Sequence, residues 1–172
     1  MSQTPKAIGP QRYRETFGRY YEDFVVGDTY EHRPGRTISE ADNTWFTLLT
    51  MNTHPLHFDA EYGKASEFGR CIVASPLTLA ILVGMSVTDV SQKAIANMGW
   101  KDIRMTAPVF AGDTLYGEST VLEKRDSKSR PTAGLVTVRT IGRNQSGTVV
   151  CEFERTVLVA KRGHAVEDKL NY

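Results

Sequence analysis

Two histidines lie within one short polar segment, and side chains of this kind can transfer protons. The segment reads Asn52-Thr53-His54-Pro55-Leu56-His57-Phe58-Asp59 and directly follows an amphipathic stretch. Pro55 disfavours helical backbone at the residue before it, so the polar side chains are expected on a bent, fixed segment. A histidine that titrates near pH ~6.5 can act as a base and then as an acid. A loop whose polar side chains cap helices has the same composition, and local chemistry leaves both interpretations open.

Length and composition indicate one globular domain. The chain has 172 residues, of which 40% are hydrophobic and 24% are charged, which is ordinary for a soluble protein with its own core. The formal net charge of +1 provides no general attraction for nucleic acid. Cys71 and Cys151 lie far apart and match no metal-ligand spacing, so we predict no metal site.

The sequence pattern also gives an expectation for the cellular location. The stretch up to Gly18 is polar and basic and lacks the apolar run of a secretory signal. The longest uncharged run covers residues 72–88, contains Pro76 and Gly84, and is shorter than the ~20 apolar residues of a membrane span. The two cysteines are interpreted as small core residues of a reducing compartment. We therefore expect a cytoplasmic protein with no membrane partner.

Two helices are predicted in the first half of the chain. Ser39 precedes the acidic residues Glu40 and Asp42, which is typical of a capped helix start. The apolar residues of this helix are expected to enter the core: Trp45, Phe46, Leu48 and Leu49. Ser75-Pro76 then predicts a second helix, with the serine as N-cap and the proline at the first helical position. Apolar residues surround this second helix on all sides, which indicates a buried central helix.

From residue 95 onward the hydrophobic pattern has a period of two, which is typical of strands. Four strands are predicted, at about 95–107, 114–125, 133–144 and 148–160. A strand over Thr29–Thr37, interrupted by Pro34-Gly35, is expected to complete the sheet. Trp45 and Trp100 are expected to be core anchors. A long antiparallel sheet wrapped around one central helix buries both elements, so we predict an α+β architecture.

Three segments, taken in order, resemble the MaoC-like (R)-specific enoyl-CoA hydratases, a family with the hot-dog fold. They are the histidine segment, the stretch Phe68–Leu77 that leads into the central helix, and Ala107–Leu115, which reads Ala-Pro-Val-Phe-Ala-Gly-Asp-Thr-Leu. The resemblance spans about residues 19–160 and implies a hot-dog domain. We accordingly predict three parts: a flexible arm over 1–18, a single hot-dog domain over 19–162, and a polar tail over 163–172.

The resemblance implies an enzyme that reversibly adds water across the 2,3 double bond of an enoyl-CoA thioester, as a homodimer or higher homo-oligomer. The variant Asn-Thr-His-Pro-Leu-His resembles the enzymes that act on short branched dicarboxylic thioesters such as itaconyl-CoA or mesaconyl-CoA. CoA is part of the substrate, so no separate cofactor is expected. Two other functions remain open: a hot-dog thioesterase, which would need a carboxylate facing the thioester carbonyl, and a non-catalytic acyl-CoA-binding protein.

The resemblance also implies roles for individual residues. His57 matches the family's catalytic histidine, and Ser75 aligns with a glycine whose backbone N–H helps to hold the thioester oxygen. Asn52 stands where the family has a carboxylate, and an amide can orient a water but cannot take its proton. His54 stands where the family has an asparagine. Arg70 is a candidate partner for a CoA phosphate or a free substrate carboxylate.

Two mechanisms follow from these departures. In the first, His57 alone removes a proton from water and returns one to the α-carbon, while Asn52 positions the water. In the second, His54 or Asp59 supplies the missing second acid–base group. The first mechanism is the preferred hypothesis, because a single histidine near neutral pH can perform both proton transfers.

Overall fold

The period-two segments form one antiparallel sheet of five strands in the computed structural model, which describes residues 5–170. The strands of this sheet are β3 Thr29–Thr37, β4 Ala94–Met105, β5 Thr114–Asp126, β6 Ala133–Arg143 and β7 Val149–Ala160. Their order across the sheet is β3-β5-β6-β7-β4. The predicted strands are therefore confirmed to within a few residues. Strands β3 and β4 are the two edges of this sheet.

Helices lie on the inner face of the sheet and beside its ends. Their bounds are α1 Glu40–Leu49, α2 Ala60–Ala65, α3 Ser75–Met85 and α4 Val166–Leu170. A short hairpin of β1 (Lys6–Gly9) and β2 (Arg12–Arg14) precedes the sheet, in the part of the chain predicted as an arm. No helix within residues 5–170 is long and apolar enough to cross a membrane. The division into arm, domain and tail remains a prediction.

Helix α3 is the central helix, and the sheet wraps around it as predicted. Leu82 of α3 is fully buried, and a Cβ on Gly142 of β6 would lie only 2.3 Å from its Cδ1 atom. The glycine therefore allows the helix and the sheet to approach this closely. One core cluster surrounds α3 and includes Leu115 and Phe153. A second cluster, with Val136 and Val157, fills the far end of the sheet.

A buried arginine lies at the C-terminal end of α3. Arg155 of β7 is 1% exposed, and its Nη2 atom donates a hydrogen bond to the hydroxyl of Ser86 at 2.8 Å. Its Nε and Nη1 atoms have no partner among the residues described. Burial lowers the pKa of this guanidinium to about 10. The side chain remains a cation, and it lies at the end of the helix that favours one.

Helix α1 begins where the sequence predicted, but the helix face that it turns toward the core is not the predicted one. Ser39 and Asp42 form the predicted capping box, in which the Ser39 N–H donates to Asp42 at 2.8 Å. The core prediction was wrong for three of the four apolar side chains, because Trp45, Leu48 and Leu49 are 66%, 67% and 79% exposed. Only Phe46 packs against the core. The buried residues of α1 are polar, as described for the candidate site below.

Two further sequence expectations are corrected. Trp100 is not a core anchor, because it lies on edge strand β4 and is 42% exposed. The N-cap of α3 is Ala74, and Ser75 is the first helical residue, one position later than predicted. This shift places the backbone N–H of Ser75, rather than its hydroxyl, at the N-terminal end of the helix.

Candidate active site

His57 lies at the end of a single 3-10 turn, Pro55–His57, and its ring orientation is fixed by the backbone. Its Nδ1 atom is 3.0 Å from the carbonyl oxygen of Ile72, which belongs to the segment that leads into α3. A carbonyl oxygen only accepts hydrogen bonds, so Nδ1 carries the proton in the neutral ring. Nε2 then has the free lone pair, and the half-buried imidazole can act as a base.

Asn43 of α1 connects the two segments that form the site. Its Nδ2 atom donates to the carbonyl oxygens of His57 at 2.8 Å and Ile72 at 3.1 Å, and its Oδ1 atom accepts from the N–H of Ala74 at 2.9 Å. The side chain is 5% exposed. A single amide therefore fixes the histidine turn, the carbonyl that orients its ring, and the start of α3. Sequence reasoning missed this residue.

A signal for Asn43 was present in the sequence. Asn43, Phe46 and Thr47 follow the i, i+3, i+4 spacing that places residues on one helix face. Two of the three residues are polar, and the stronger apolar run beside them predicts a different inner face. A polar stripe on a helix next to a catalytic motif could have indicated a residue that binds neighbouring backbone.

The structure brings His54 close to His57 and joins Asn52 to His54, but the hydrogen bonds of both side chains are with the loop itself. The Oδ1 atom of Asn52 accepts from the backbone N–H of His54 at 3.2 Å. Nδ1 of His54 accepts from the N–H of Leu56 at 3.3 Å, so His54 caps the turn. The rings of His54 and His57 are 5.9 Å apart between centroids. The amide nitrogen of Asn52 has no protein partner within the described range.

Asp59 caps the next helix. Its Oδ1 atom accepts from the backbone N–H groups of Glu61 at 3.0 Å and Tyr62 at 3.1 Å at the start of α2. These bonds satisfy two of the free donors at a helix N-terminus. The carboxylate is therefore occupied by a structural task, which makes it a poor candidate for the second acid–base group.

Ser75 presents a free backbone donor. The N–H of Val73 donates to the carbonyl of Val109 at 2.8 Å, and the N–H of Ala74 donates to Asn43. In the part of the chain that the structure describes, no acceptor faces the next N–H, that of Ser75. This donor lies at the N-terminal end of an eleven-residue helix, where the helix dipole favours negative charge.

A cavity of about 250 Å³ opens beside this donor. Its wall is mainly apolar and includes Phe68, Ile72 and Val150, whereas Ser75 and Thr78 contribute polar atoms. His57 is not among the lining residues, and its hydrogen bond to the carbonyl of Ile72 connects it to this wall. The volume is below the ~300–1,000 Å³ that is typical of drug-sized ligands. A short acyl group fits a space of this kind better than a long one.

Arg70 lies outside the lining of this cavity. Its guanidinium carbon is 3.9 Å from the ring centroid of Phe110, in a cation–π contact, and the side chain is exposed. Phe110 follows the cavity residue Val109. The arginine is therefore placed near the site, and its role as a binding residue remains a prediction.

A second group of residues has the order of a nucleophilic triad but is closed to substrate. Asp89 is 3.0 Å from Nδ1 of His32, whose Nε2 atom is 2.8 Å from the hydroxyl of Ser119. Ser119 in turn is hydrogen-bonded to Thr140 at 2.8 Å. His32, Ser119 and Thr140 are all 0% exposed. A nucleophile must reach its substrate, so this network has a structural role. No group of three or more metal-ligating side chains is found between residues 5 and 170.

Comparisons with known proteins agree with the geometry. Residues 7–170 match the family model of mesaconyl-CoA hydratase. The chain is 36% identical over 148 residues to a mesaconyl-CoA hydratase of Cereibacter sphaeroides, covering 86% of this chain and 43% of that protein. It is 37% identical over 145 residues to the β-methylmalyl-CoA dehydratase of Chloroflexus aurantiacus, covering 84% of this chain and 41% of that one. The chain thus spans about two fifths of the length of these curated relatives.

Solved structures show the same fold. A MaoC domain protein from Chloroflexus aurantiacus superposes with a TM-score of 0.80 at 36% identity, covering 84% of this chain and 41% of that one. A Mycobacterium tuberculosis protein with a double hot-dog fold superposes with a TM-score of 0.77 at 22% identity, covering 84% of this chain and 44% of that one. The predicted hot-dog architecture is confirmed.

Proposed function

The chain belongs to the mesaconyl-CoA hydratase family of MaoC-like hot-dog proteins, and we propose that it catalyses the reversible hydration of a short, branched 2-enoyl-CoA thioester. One observation carries this proposal: the imidazole of His57 is held by the carbonyl of Ile72, a residue of the same small apolar cavity that Ser75 lines with its free N–H. A base and an oxyanion donor beside one cavity are the two groups that addition of water to a conjugated thioester requires.

The proposed reaction uses one base twice. Nε2 of His57 removes a proton from a water molecule, and the oxygen forms a bond to C3 of the substrate. The π electrons of the C2–C3 bond move toward the thioester oxygen, whose negative charge is stabilised by the N–H of Ser75 and by the dipole of α3. The protonated His57 then gives its proton to C2, which restores the base. Asn52 positions the water.

The contacts of the loop favour this single-base mechanism over its alternative. Asp59 accepts two backbone hydrogen bonds as the cap of α2, and Nδ1 of His54 accepts one from Leu56. These contacts orient both side chains toward the backbone of the loop, and within residues 5–170 no hydrogen bond orients either of them toward the cavity. The absence of a carboxylate at position 52 also disfavours the thioesterase, which needs a base or nucleophile facing the carbonyl.

Substrate assays test the proposal. The purified chain is mixed with mesaconyl-CoA, itaconyl-CoA or crotonyl-CoA, and the loss of the enoyl absorbance is followed together with release of free thiol. We expect hydration of at least one short thioester without thiol release. Thiol release without hydration would establish a thioesterase, tight binding without turnover would establish a binding protein, and turnover of long chains only would contradict the proposal.

The His57→Gln variant tests the assigned base. We expect kcat to fall by a factor of ~10² to 10⁴, which is the contribution usual for a general base. His164→Gln is the matched control, because this histidine is exposed and lies far from the site beside α4. Wild-type turnover in the His57 variant, with unchanged circular dichroism, would exclude His57 as the base.

We further propose that two copies of the chain pair through edge strand β4. This strand has a free backbone edge and five apolar side chains that are 39–58% exposed: Ile95, Met98, Trp100, Ile103 and Met105. An exposed edge of this kind favours pairing with another strand. The relatives described above are more than twice as long as the matched region, and a second copy of this chain would take the place of their additional residues.

We also propose a cytoplasmic location. Cys71 and Cys151 are both free thiols, as is usual in a reducing compartment.

A further inference from the structure

Thr78 places an unpaired hydroxyl on the wall of the cavity. It belongs to α3, one turn after Ser75, and the residue is only 2% exposed. A threonine in a helix commonly donates to the carbonyl four residues earlier. Here that carbonyl, of Ala74, accepts from the backbone N–H groups of Leu77 at 2.9 Å and Thr78 at 3.3 Å. Within residues 5–170 the hydroxyl of Thr78 has no protein hydrogen-bond partner, and its oxygen is not among the fully buried atoms that lack one.

The other polar side chains of the cavity differ from Thr78. Thr106 uses its hydroxyl to donate to the carbonyl of Val149 at 2.6 Å. Ser75 is exposed at the mouth of the cavity. Among the three polar residues of this wall, Thr78 is the buried one, and its hydroxyl has no protein partner. A hydroxyl that opens onto a cavity and has no protein partner is available to a ligand that supplies an acceptor.

The spacing along α3 indicates where this acceptor lies in the substrate. Ser75 and Thr78 are three residues apart, which corresponds to a rise of about 4.5 Å along the helix. The two terminal carbons of a four-carbon chain are separated by three bonds of ~1.5 Å and lie about 4 Å apart when extended. A thioester oxygen at the N–H of Ser75 therefore brings the far end of such a chain to Thr78.

We propose that the hydroxyl of Thr78 donates a hydrogen bond to the second carboxylate of a short dicarboxylic enoyl thioester and so selects it over a monocarboxylic chain of similar length. The inference rests on the proposed function, because the thioester must be held at Ser75. A hydroxyl–carboxylate bond is charge-assisted, and the carboxylate lies in the first turns of α3, where the dipole favours it. A substrate without this acceptor leaves the hydroxyl unpaired, which is a strong basis for discrimination.

Competition between two substrates tests the inference. For each variant, kcat/KM is measured with mesaconyl-CoA and with crotonyl-CoA in the same preparation, and their ratio is compared with that of the wild type. Thr78→Val keeps the shape of the side chain and removes the hydroxyl. We expect the ratio to shift by roughly 10- to 100-fold toward crotonyl-CoA. Because the ratio does not depend on the folded fraction, partial misfolding does not obscure the result.

Three controls make the outcome decisive. Thr78→Ser keeps the hydroxyl, and Thr106→Val removes a hydroxyl that already has a protein partner, so both are expected to keep the ratio within about 3-fold. Arg70→Gln removes the nearby cation. An unchanged ratio in Thr78→Val overturns the inference, and a shift in Arg70→Gln alone would assign the carboxylate to Arg70 instead.

The saturated thioesters succinyl-CoA and butyryl-CoA separate this inference from the proposed function. They cannot be hydrated, and their dissociation constants report recognition alone. Loss of the preference for succinyl-CoA in Thr78→Val supports the role of the hydroxyl even if the chain hydrates nothing. If all variants hydrate the substrate and keep their preference for the dicarboxylic thioester, the proposed function stands and Thr78 has no part in substrate selection.

Discussion

At the residue scale, Asn43 is the side chain on which the geometry of the site depends. Its three hydrogen bonds join residues that lie between 14 and 31 positions away in the sequence. The carbonyl of Ile72 receives both this amide and the ring of His57. The orientation of the base is therefore set by backbone groups that Asn43 holds in place, whereas many catalytic histidines are oriented by a carboxylate.

Removal of this amide is expected to affect stability and catalysis together. Asn43→Ala removes the partner of the His57 carbonyl and of the Ala74 N–H, and one of the two donors to the Ile72 carbonyl, so we expect the free energy of unfolding to fall by ~2 kcal/mol. We also expect kcat to fall more than the affinity for substrate, because the ring of His57 loses its fixed orientation. Urea unfolding and steady-state kinetics measure the two effects. Full activity in a destabilised variant would show that Asn43 stabilises the fold but does not orient His57 for catalysis.

Asp59 provides a test between the two mechanisms at the same scale. Asparagine is as good an N-cap as aspartate, so Asp59→Asn preserves the hydrogen bonds to α2 while it removes the ionisable group. If His57 acts alone, kcat remains within about 3-fold of the wild-type value. A loss of 100-fold or more, with an unchanged melting temperature, would show instead that Asp59 takes part in proton transfer.

At the element scale, the end of α3 is attached to the sheet by the buried network of His32. Asp89 belongs to the π-helical turn Val87–Ser91 that follows α3, and it also lies 3.5 Å from the guanidinium of Arg19. His32 belongs to β3, and its other ring nitrogen contacts Ser119 of β5. The hydrogen bond from His32, the Coulomb attraction of His32 and the charge of Arg19 lower the pKa of Asp89 below its ordinary value.

This shift predicts a stability difference that depends on pH. A carboxylate whose pKa is lowered on folding stabilises the native state above its unfolded pKa of 3.8 and loses this effect as the pH falls through the folded value. We expect Asp89→Asn to lower the free energy of unfolding by ~1 kcal/mol at pH 6, and the difference to diminish below pH ~4. Urea titrations of both proteins at pH 6 and pH 3 measure it. A difference that is equal at both values would assign the effect to packing.

At the scale of the whole molecule, two elements within residues 5–170 carry several exposed apolar side chains each. One is edge strand β4, and the other is α1, whose outer face carries Trp45, Leu48 and Leu49. Only the first also has unpaired backbone groups, so it is the better surface for a second copy. A continuous sheet across two copies would bury the apolar side chains of β4 without any change of fold.

Oligomeric state distinguishes these surfaces. Met98→Lys places a charge on β4, where the two copies would bring like charges together, and we expect a shift from two chains to one in sedimentation velocity. Leu48→Lys is the matched control, because Leu48 is 67% exposed against 58% for Met98 and lies on α1. Dissociation caused by Leu48→Lys alone would place the contact on α1, and a monomeric wild type would contradict the pairing.

The sequence by itself determined the elements and the motif. Period-two segments predicted the sheet strands to within a few residues, because side-chain alternation is a local property of a strand. The capping box of α1 and the Ser75-Pro76 pair predicted two helix starts, because capping also involves residues that are close in sequence. The histidine segment and two further stretches identified the family.

Only the tertiary structure decided how these elements meet. Periodicity defines the stripes of a helix but not the surface that each stripe contacts, and the polar stripe of α1 with Asn43 turned inward. The cap formed by Asp59, the unpaired hydroxyl of Thr78 and the free edge of β4 all depend on which groups lack or find partners after packing. Hydrogen bonds between distant residues are a property of the folded chain, and so is the absence of one.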